Sequence, residues 1–305
     1  MEAASIKAGT PTRRRSRDLS ERRLAAYMVS PSLLLIALVA AYPIIYAIWL
    51  SLHEYSVRVA GLSRWAGFGN YSNILQDSEF WAAVKNTFIF TAASVTLETV
   101  IGMAMALAMH TAFRGQGLLR TVVLVPWAVL TVVTAMMWRT IFDPTLGVVN
   151  AVLGTDIVWL GESPHAMIVM IIADVWKTAP FMALLLLAGL QVIPGEIYEA
   201  AKVDGATMWQ RFQKITLPLL MPALLVALIF RTLDALRIFD LPFVLTKGAH
   251  GTNTLSLEAY QTFTANNIIG AGAALAVITF IIVMVVSFLY IRFVGGNIRG
   301  LAEES

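Results

Sequence analysis

Six separate apolar stretches, each long enough to cross a bilayer, dominate this chain. A hydrocarbon core about 30 Å thick is crossed by roughly 20 consecutive apolar residues in a helix. The qualifying stretches lie near residues 26–50, 87–109, 121–142, 166–190, 219–243 and 268–293, the third and fifth interrupted by polar side chains. Composition agrees. Of 305 residues, 58% are hydrophobic and 13% charged, and the mean hydropathy is +0.73. A soluble domain carries about 25% charged residues. These values exclude a water-soluble globular protein, a disordered chain and a nucleic-acid reader. Thiol catalysis, disulfides and Cys-ligated zinc are excluded because cysteine is absent.

The net charge of +3 and the sequence pI of 9.2 are explained by where the basic residues sit. Of the 22 Lys and Arg, fourteen fall on one side: Lys7, Arg13, Arg14, Arg15, Arg17, Arg22 and Arg23 in the tail, Arg114 and Arg120 after span two, Lys202, Arg211 and Lys214 after span four, and Arg292 and Arg299 at the end. Arg58, Arg64, Lys85 and Lys247 fall on the other side. The positive-inside rule then places both termini in the cytoplasm. Residues 1–23 are expected to be a disordered basic cytoplasmic tail, residues 24–293 a six-helix membrane domain, and residues 294–305 a short cytoplasmic tail. The first apolar run is too long for a signal-peptide core and reads as an uncleaved helix. On the outer side, Trp65, Phe68, Tyr71, Phe80 and Trp81 suggest an amphipathic segment at the membrane interface. Residues 143–165 are rich in turn formers and contain no basic residue.

The inner loop after span four, residues 191–218, is the most informative segment. Pro194 is suited to opening a helix. Glu196 and Glu199 sit where the helix dipole favours acidic groups. Gly205 can end that helix or turn the chain. Trp209, Phe212 and Ile215 recur at helical spacing before Pro218 opens span five. The loop therefore reads as helix–turn–helix, and its plainest role is that of an interfacial connector.

Glu199-Ala200-Ala201, Gly205, Ile215 and Leu217-Pro218 stand at the spacing of the EAA loop of ABC importer permeases, which this loop resembles. Phe113-Arg114-Gly115-Gln116-Gly117, the run from Phe142 to Asn150, and Leu245-Thr246-Lys247-Gly248 resemble carbohydrate importer permeases of the maltose and glycerol-3-phosphate group. The chain looks like the first permease of the pair, without the extra N-terminal spans and outer domain of the maltose importer's larger subunit. Ala249-His250 depart from the Gly-Pro usual in that outer loop. The resemblance implies an all-α polytopic protein with six transmembrane helices and the ABC type I importer permease fold. It implies a bacterial cytoplasmic membrane location, a second homologous permease, two copies of an ABC ATPase, and an extracytoplasmic solute-binding protein that delivers a carbohydrate such as trehalose or maltose. Glu199 would make the ionic contact with the ATPase, Ala200 and Ala201 the close-packed face, and Gly205 the turn; Asp204 belongs to the same coupling segment. ATP and Mg would be bound by the ATPase subunits, with no cofactor in this chain. No G-x-x-x-x-G-K-[ST] pattern occurs in the sequence.

Charged residues at membrane depth face a bundle interior or an aqueous cavity. Span four carries Asp174, Lys177 and Thr178, and span five carries Arg231, Asp234, Arg237 and Asp240. Spacing suggests the ion pairs Asp174–Lys177, Arg231–Asp234 and Arg237–Asp240. Such pairs read as glue between helices or as a polar wall for a hydroxyl-rich solute. Spacing slightly favours glue. The resemblance adds substrate-pathway positions at Lys177, Thr178, Phe181, Arg231, Asp234, Ala235 and Ile238. Glu98 reads as a structural pair, Asn86 as a cap for span two, and Gly270 and Gly272 as points of close helix approach. The four histidines show no ligand spacing for a metal. Three rival functions remain: a permease for glycerol-3-phosphate or another polar solute, an ion-coupled secondary transporter using these charges, and a membrane enzyme, for which no catalytic cluster stands out.

Overall fold

A computed structural model describes residues 21–56, 63–111 and 115–303. The basic tail before residue 21, Arg58, and Phe113-Arg114 lie outside the described residues. Residues up to Tyr46 and those from Ala47 onward form two compact units. Among the described residues, the first unit is most of α1 (Glu21–Ser51), an apolar helix with Pro31 and Pro43 inside it. The second unit contains everything that follows.

It begins with a hairpin, β1 (His53–Tyr55) and β2 (Ser63–Trp65), antiparallel with His53 opposite Trp65. Helices α2 (Gly69–Gln76) and α3 (Ser78–His110) come next. Then come α4 (Gln116–Ala128), α5 (Thr131–Ile141), α6 (Val148–Leu153) and α7 (His165–Leu190). After α8 (Gly195–Val203) and α9 (Met208–Arg211), a π-helical turn leads into α10 (Leu217–Ala235). The chain ends with α11 (Asp240–Leu245), α12 (Leu255–Tyr260), a second π-helical turn and α13 (Ile269–Glu303). Among the described residues, five helices are long and apolar enough to cross a membrane, or six if the bent pair α4–α5 counts as one span.

Three sequence expectations need correction. The third span is not one helix: α4 and α5 meet at 89°. Val129 and Leu130 are extended between them, and Pro126 lies just upstream. The fifth span runs on to Leu245 but is not one unbroken helix: α10 stops at Ala235 and the helix resumes as α11. Thr254 Oγ1 donates to the Ile238 carbonyl at 3.0 Å, satisfying one oxygen freed by that break. Span two begins at Ser78 because Asp77 is the cap, its carboxylate accepting from the Glu79 N–H at 2.9 Å. Asn86 is therefore inside α3, and its Nδ2 donates to the Asn253 carbonyl at 3.1 Å.

The main core lies where α3, α7 and α10 pack, around Met109, Met182, Leu186, Leu190 and Leu220. Small residues set the spacing there. A Cβ on Gly102 would stand 2.7 Å from Met182 Cγ, and one on Gly189 would stand 2.4 Å from Ala223 Cβ. Gly270 serves a different contact from the helix approach expected of it: a Cβ there would lie 2.0 Å from the His53 carbonyl oxygen. The hairpin is thus fastened to the start of α13. Asn70 Nδ2 donates to the Ser51 and His53 carbonyls at 2.8 and 3.0 Å, and Ser56 bridges to Ile268.

The segment 143–165 folds on itself. Asn150 Nδ2 donates to the Pro144 and Ile157 carbonyls, and Trp159 Nε1 donates to Asn150 Oδ1 at 2.7 Å. The Asp143 carboxylate accepts from the Leu146 and Thr145 N–H groups, each at 2.9 Å, and from the Thr145 hydroxyl. Those donors lower its pKa below the ordinary carboxylate value.

Candidate functional site

The loop at residues 191–218 is closed by local bonds at both of its turns. Pro194 is the N-cap of α8, and Glu196 lies in the first turn. At the other end Gly205 adopts φ +75°, which favours glycine. The Gly205 N–H donates to the Lys202 carbonyl at 3.1 Å and the Ala206 N–H to the Ala201 carbonyl at 2.9 Å. This pair of bonds is a Schellman ending. Thr207 and Gln210 then form a reciprocal capping box, at 2.8 and 3.3 Å, that starts α9. Tyr198 and Thr216 hydroxyls, 3.0 Å apart, tie α8 to the turn before α10. Glu199, Ala200, Asp204 and Gly205 are exposed on this frame, and Ala201 is half-buried. Val203, Met208 and Trp209 present apolar surface beside them.

Between α3, α7 and α10 lies a cluster of ionic side chains. Arg231 of α10 is 2% exposed, and Glu98 of α3 is fully buried. Arg231 donates through Nε and Nη2 to Glu98, through Nη2 to Asp174 of α7, and through Nη1 to Asp234 at 2.8 Å. A buried guanidinium survives only when its donors are filled, and its planar fork suits paired carboxylates. Thr178 Oγ1 lies 2.6 Å from both Glu98 Oε1 and the Asp174 carbonyl.

The expected Arg231–Asp234 pair forms. Asp174 pairs with Arg231 instead of Lys177, because the bundle packs α10 against α7 at that level. Lys177 Nζ donates to the Val129 and Trp127 carbonyls at 2.6 and 3.3 Å. It thereby fills acceptors that the end of α4 leaves open. No Arg237–Asp240 ion pair occurs among the described residues; Arg237 Nε donates to the Leu233 carbonyl at 3.2 Å.

A cavity of about 160 Å³ opens beside the cluster. Of the predicted pathway residues, Lys177, Thr178, Asp234 and Ile238 line it. Arg231 lies behind its wall, Ala235 is buried in the core with Phe90 and Met170, and Phe181 stacks on Trp127 at 5.4 Å. Arg237, Phe239 and Asp240 complete the lining, together with Thr131 and Asp174. A larger groove, about 500 Å³, runs between α3, α10 and α13 and carries no charged side chain. The small cavity is the better candidate for a polar solute, because oriented polar groups fix such a ligand. Sequence reading missed the reach of Glu98 into this cluster. Its signal was a carboxylate in the apolar middle of a span.

Residues 98–296 match the family model described as binding-protein-dependent transport system inner membrane component. The chain is 43% identical over 282 residues to the trehalose transport system permease protein SugA of Mycobacterium tuberculosis (strain H37Rv), covering 92% of each chain. It is 42% identical over 278 residues to the trehalose/maltose transport system permease protein MalF of Thermococcus litoralis, covering 89% of this chain and 94% of that one. Among solved structures, it resembles a chain of a bacterial alginate ABC transporter crystallised with an alginate pentasaccharide-bound periplasmic protein. That match has TM-score 0.76 and 22% identity, and covers 90% of this chain and 94% of the other. At that identity the likeness establishes the fold.

Proposed function

The chain belongs to the inner membrane components of binding-protein-dependent transport systems, and on that premise we propose that it carries trehalose, or a closely related disaccharide, across the membrane. It is a multi-pass permease subunit of a sugar ABC importer, not itself an enzyme. The observation that carries the substrate reading is the identity above 40%, over about nine tenths of the chain, to two permeases both named for trehalose. The cavity chemistry supports a neutral solute. Arg231 already serves three carboxylates and has little capacity left for a phosphate.

In this reading the permease pairs with a second homologous subunit, receives sugar from a binding protein, and rests on two ATPase copies that hold ATP and Mg. Both termini are cytoplasmic in this reading, which the one-sided distribution of basic residues supports. Glu199, Ala200, Ala201, Asp204 and Gly205 form the contact with the ATPase. The two-turn frame of the loop passes ATPase movement to α10 through the π-helical turn. Lys177, Thr178, Asp234 and Ile238 face the solute. Arg231, Ala235 and Phe181 support that wall from behind.

The test is ATPase turnover of the complete reconstituted transporter with trehalose-loaded binding protein. Loaded binding protein is expected to stimulate wild type, and Glu199→Ala and Gly205→Asp to lose stimulation or ATPase binding. A chain that purifies without ATPases and moves solute down an ion gradient regardless of ATP would overturn the proposal.

A further inference from the structure

We propose that Glu98 is a positioning residue for solute recognition: from α3 it holds the Asp234 carboxylate through Arg231, and it shares the inward-pointing Thr178 hydroxyl with the Asp174 carbonyl. The proposal rests on the sugar-permease reading above. It deepens that reading by naming which solute atoms the cavity selects.

Glu98 itself is fully buried and does not line the cavity. Two groups that do line it are bonded into the network that Glu98 anchors. Thr178 Oγ1 lies 2.6 Å from both Glu98 Oε1 and the Asp174 carbonyl, so either acceptor draws its proton inward. A hydroxyl has one proton, so once it is donated inward only oxygen lone pairs remain for the cavity. Asp234 has 69% of its side chain exposed, and Arg231 Nη1 grips its Oδ2 at 2.8 Å. An exposed carboxylate on a helix otherwise samples several rotamers. Here the guanidinium plane is fixed on its other edge by Glu98 and Asp174, so the rotamer of Asp234 is fixed as well. Asp234 Oδ1 makes no hydrogen bond among the described residues and remains an acceptor facing the cavity.

Both positioned groups are therefore acceptors, aimed where a solute must bring O–H donors. Lys177 and Arg237 supply donors on the same cavity, partly engaged by backbone carbonyls. A site of this kind rejects an analogue lacking the matching hydroxyl far more strongly than it distinguishes carbon skeletons, because acceptors shut off from water by the bound solute are then left unpaired. The class selected is a neutral polyol with a donor hydroxyl at that place. Glu98 governs the selection without touching the solute.

The experiment uses the complete reconstituted transporter with its binding protein. It reads the ratio of ATPase turnover driven by trehalose to that driven by singly deoxygenated trehalose analogues, each in the same preparation, so differences in assembled amount cancel. Wild type is expected to favour trehalose over at least one analogue by about 10- to 100-fold, the worth of one hydrogen bond to a charged group. Glu98→Gln is expected to bring that ratio toward one. Asp234→Asn is expected to do the same, and the double variant to be no worse than either single, because both act through one guanidinium. If Glu98→Gln does not assemble, Asp234→Asn decides alone, because Glu98 acts on the cavity through that carboxylate. An unchanged ratio in the assembled variants overturns the proposal while the permease reading stands. Absence of trehalose stimulation in wild type overturns both.

Discussion

The loop between α7 and α10 and the ionic cluster solve the same problem over very different lengths of chain. In the loop, backbone groups are satisfied by neighbours three to five residues away, as at Lys202–Gly205, Ala201–Ala206 and Thr207–Gln210. In the cluster, Arg231 reaches Glu98 across 133 residues and Asp174 across 57. A locally closed turn keeps its shape wherever its ends go. A cluster drawn from three helices exists only when all three are packed. The loop is accordingly suited to docking while exposed, and the cluster to reporting whether the bundle is correctly assembled.

The strongest way to break this contrast is Arg231→Met. It leaves Glu98 and Asp174 buried without a cation, and removing one partner of a buried pair costs about 3–5 kcal/mol. The expected result is loss of folded, membrane-inserted protein, measured by detergent-solubilised yield and thermal unfolding. Lys177→Met comes next. It unfills two carbonyls at the α4–α5 break, at about 1–3 kcal/mol, and is expected to lower the unfolding temperature and raise hydrogen exchange around Val129. Thr207→Ala removes one half of the capping box at about 1 kcal/mol. Its effect is expected to stay within the loop, seen as faster exchange at Gln210 with global unfolding nearly unchanged. The smallest effect belongs to Asp143. Its pKa lies below the ordinary carboxylate value, so its contribution is complete above about pH 4 and is lost as the pH falls through the lower folded value. Exchange protection at Thr145 and Leu146 is expected to fall in that acidic range, and Asp143→Ala to abolish the pH dependence.

The same contrast explains what could be read from the sequence. Span existence, the helix opened at Pro194 and the turn at Gly205 were legible because hydropathy and capping are local signals. The bend between α4 and α5 was not: residues 121–142 are apolar on both sides of Val129 and Leu130. What stabilises the break is Lys177, some 48 residues further on. Pairing by spacing also failed for Asp174. A neighbour three residues away on α7 competed with a guanidinium on α10, and the guanidinium offered a better-matched fork. Of the proposed pathway residues, those that face the cavity sit on the side of α7 and α10 that bears Thr178 and Asp234. Spacing alone could not tell that side from the one that buries Ala235.

The fastening of the hairpin to α13 sets an order of events during synthesis. Ser56 meets Asn267 across 211 residues, and Gly270 receives the His53 carbonyl. A ribosome must therefore have made nearly the whole chain before the hairpin strands can find their resting place. The closure of Ser56 onto Ile268 therefore marks the moment when the last span has arrived.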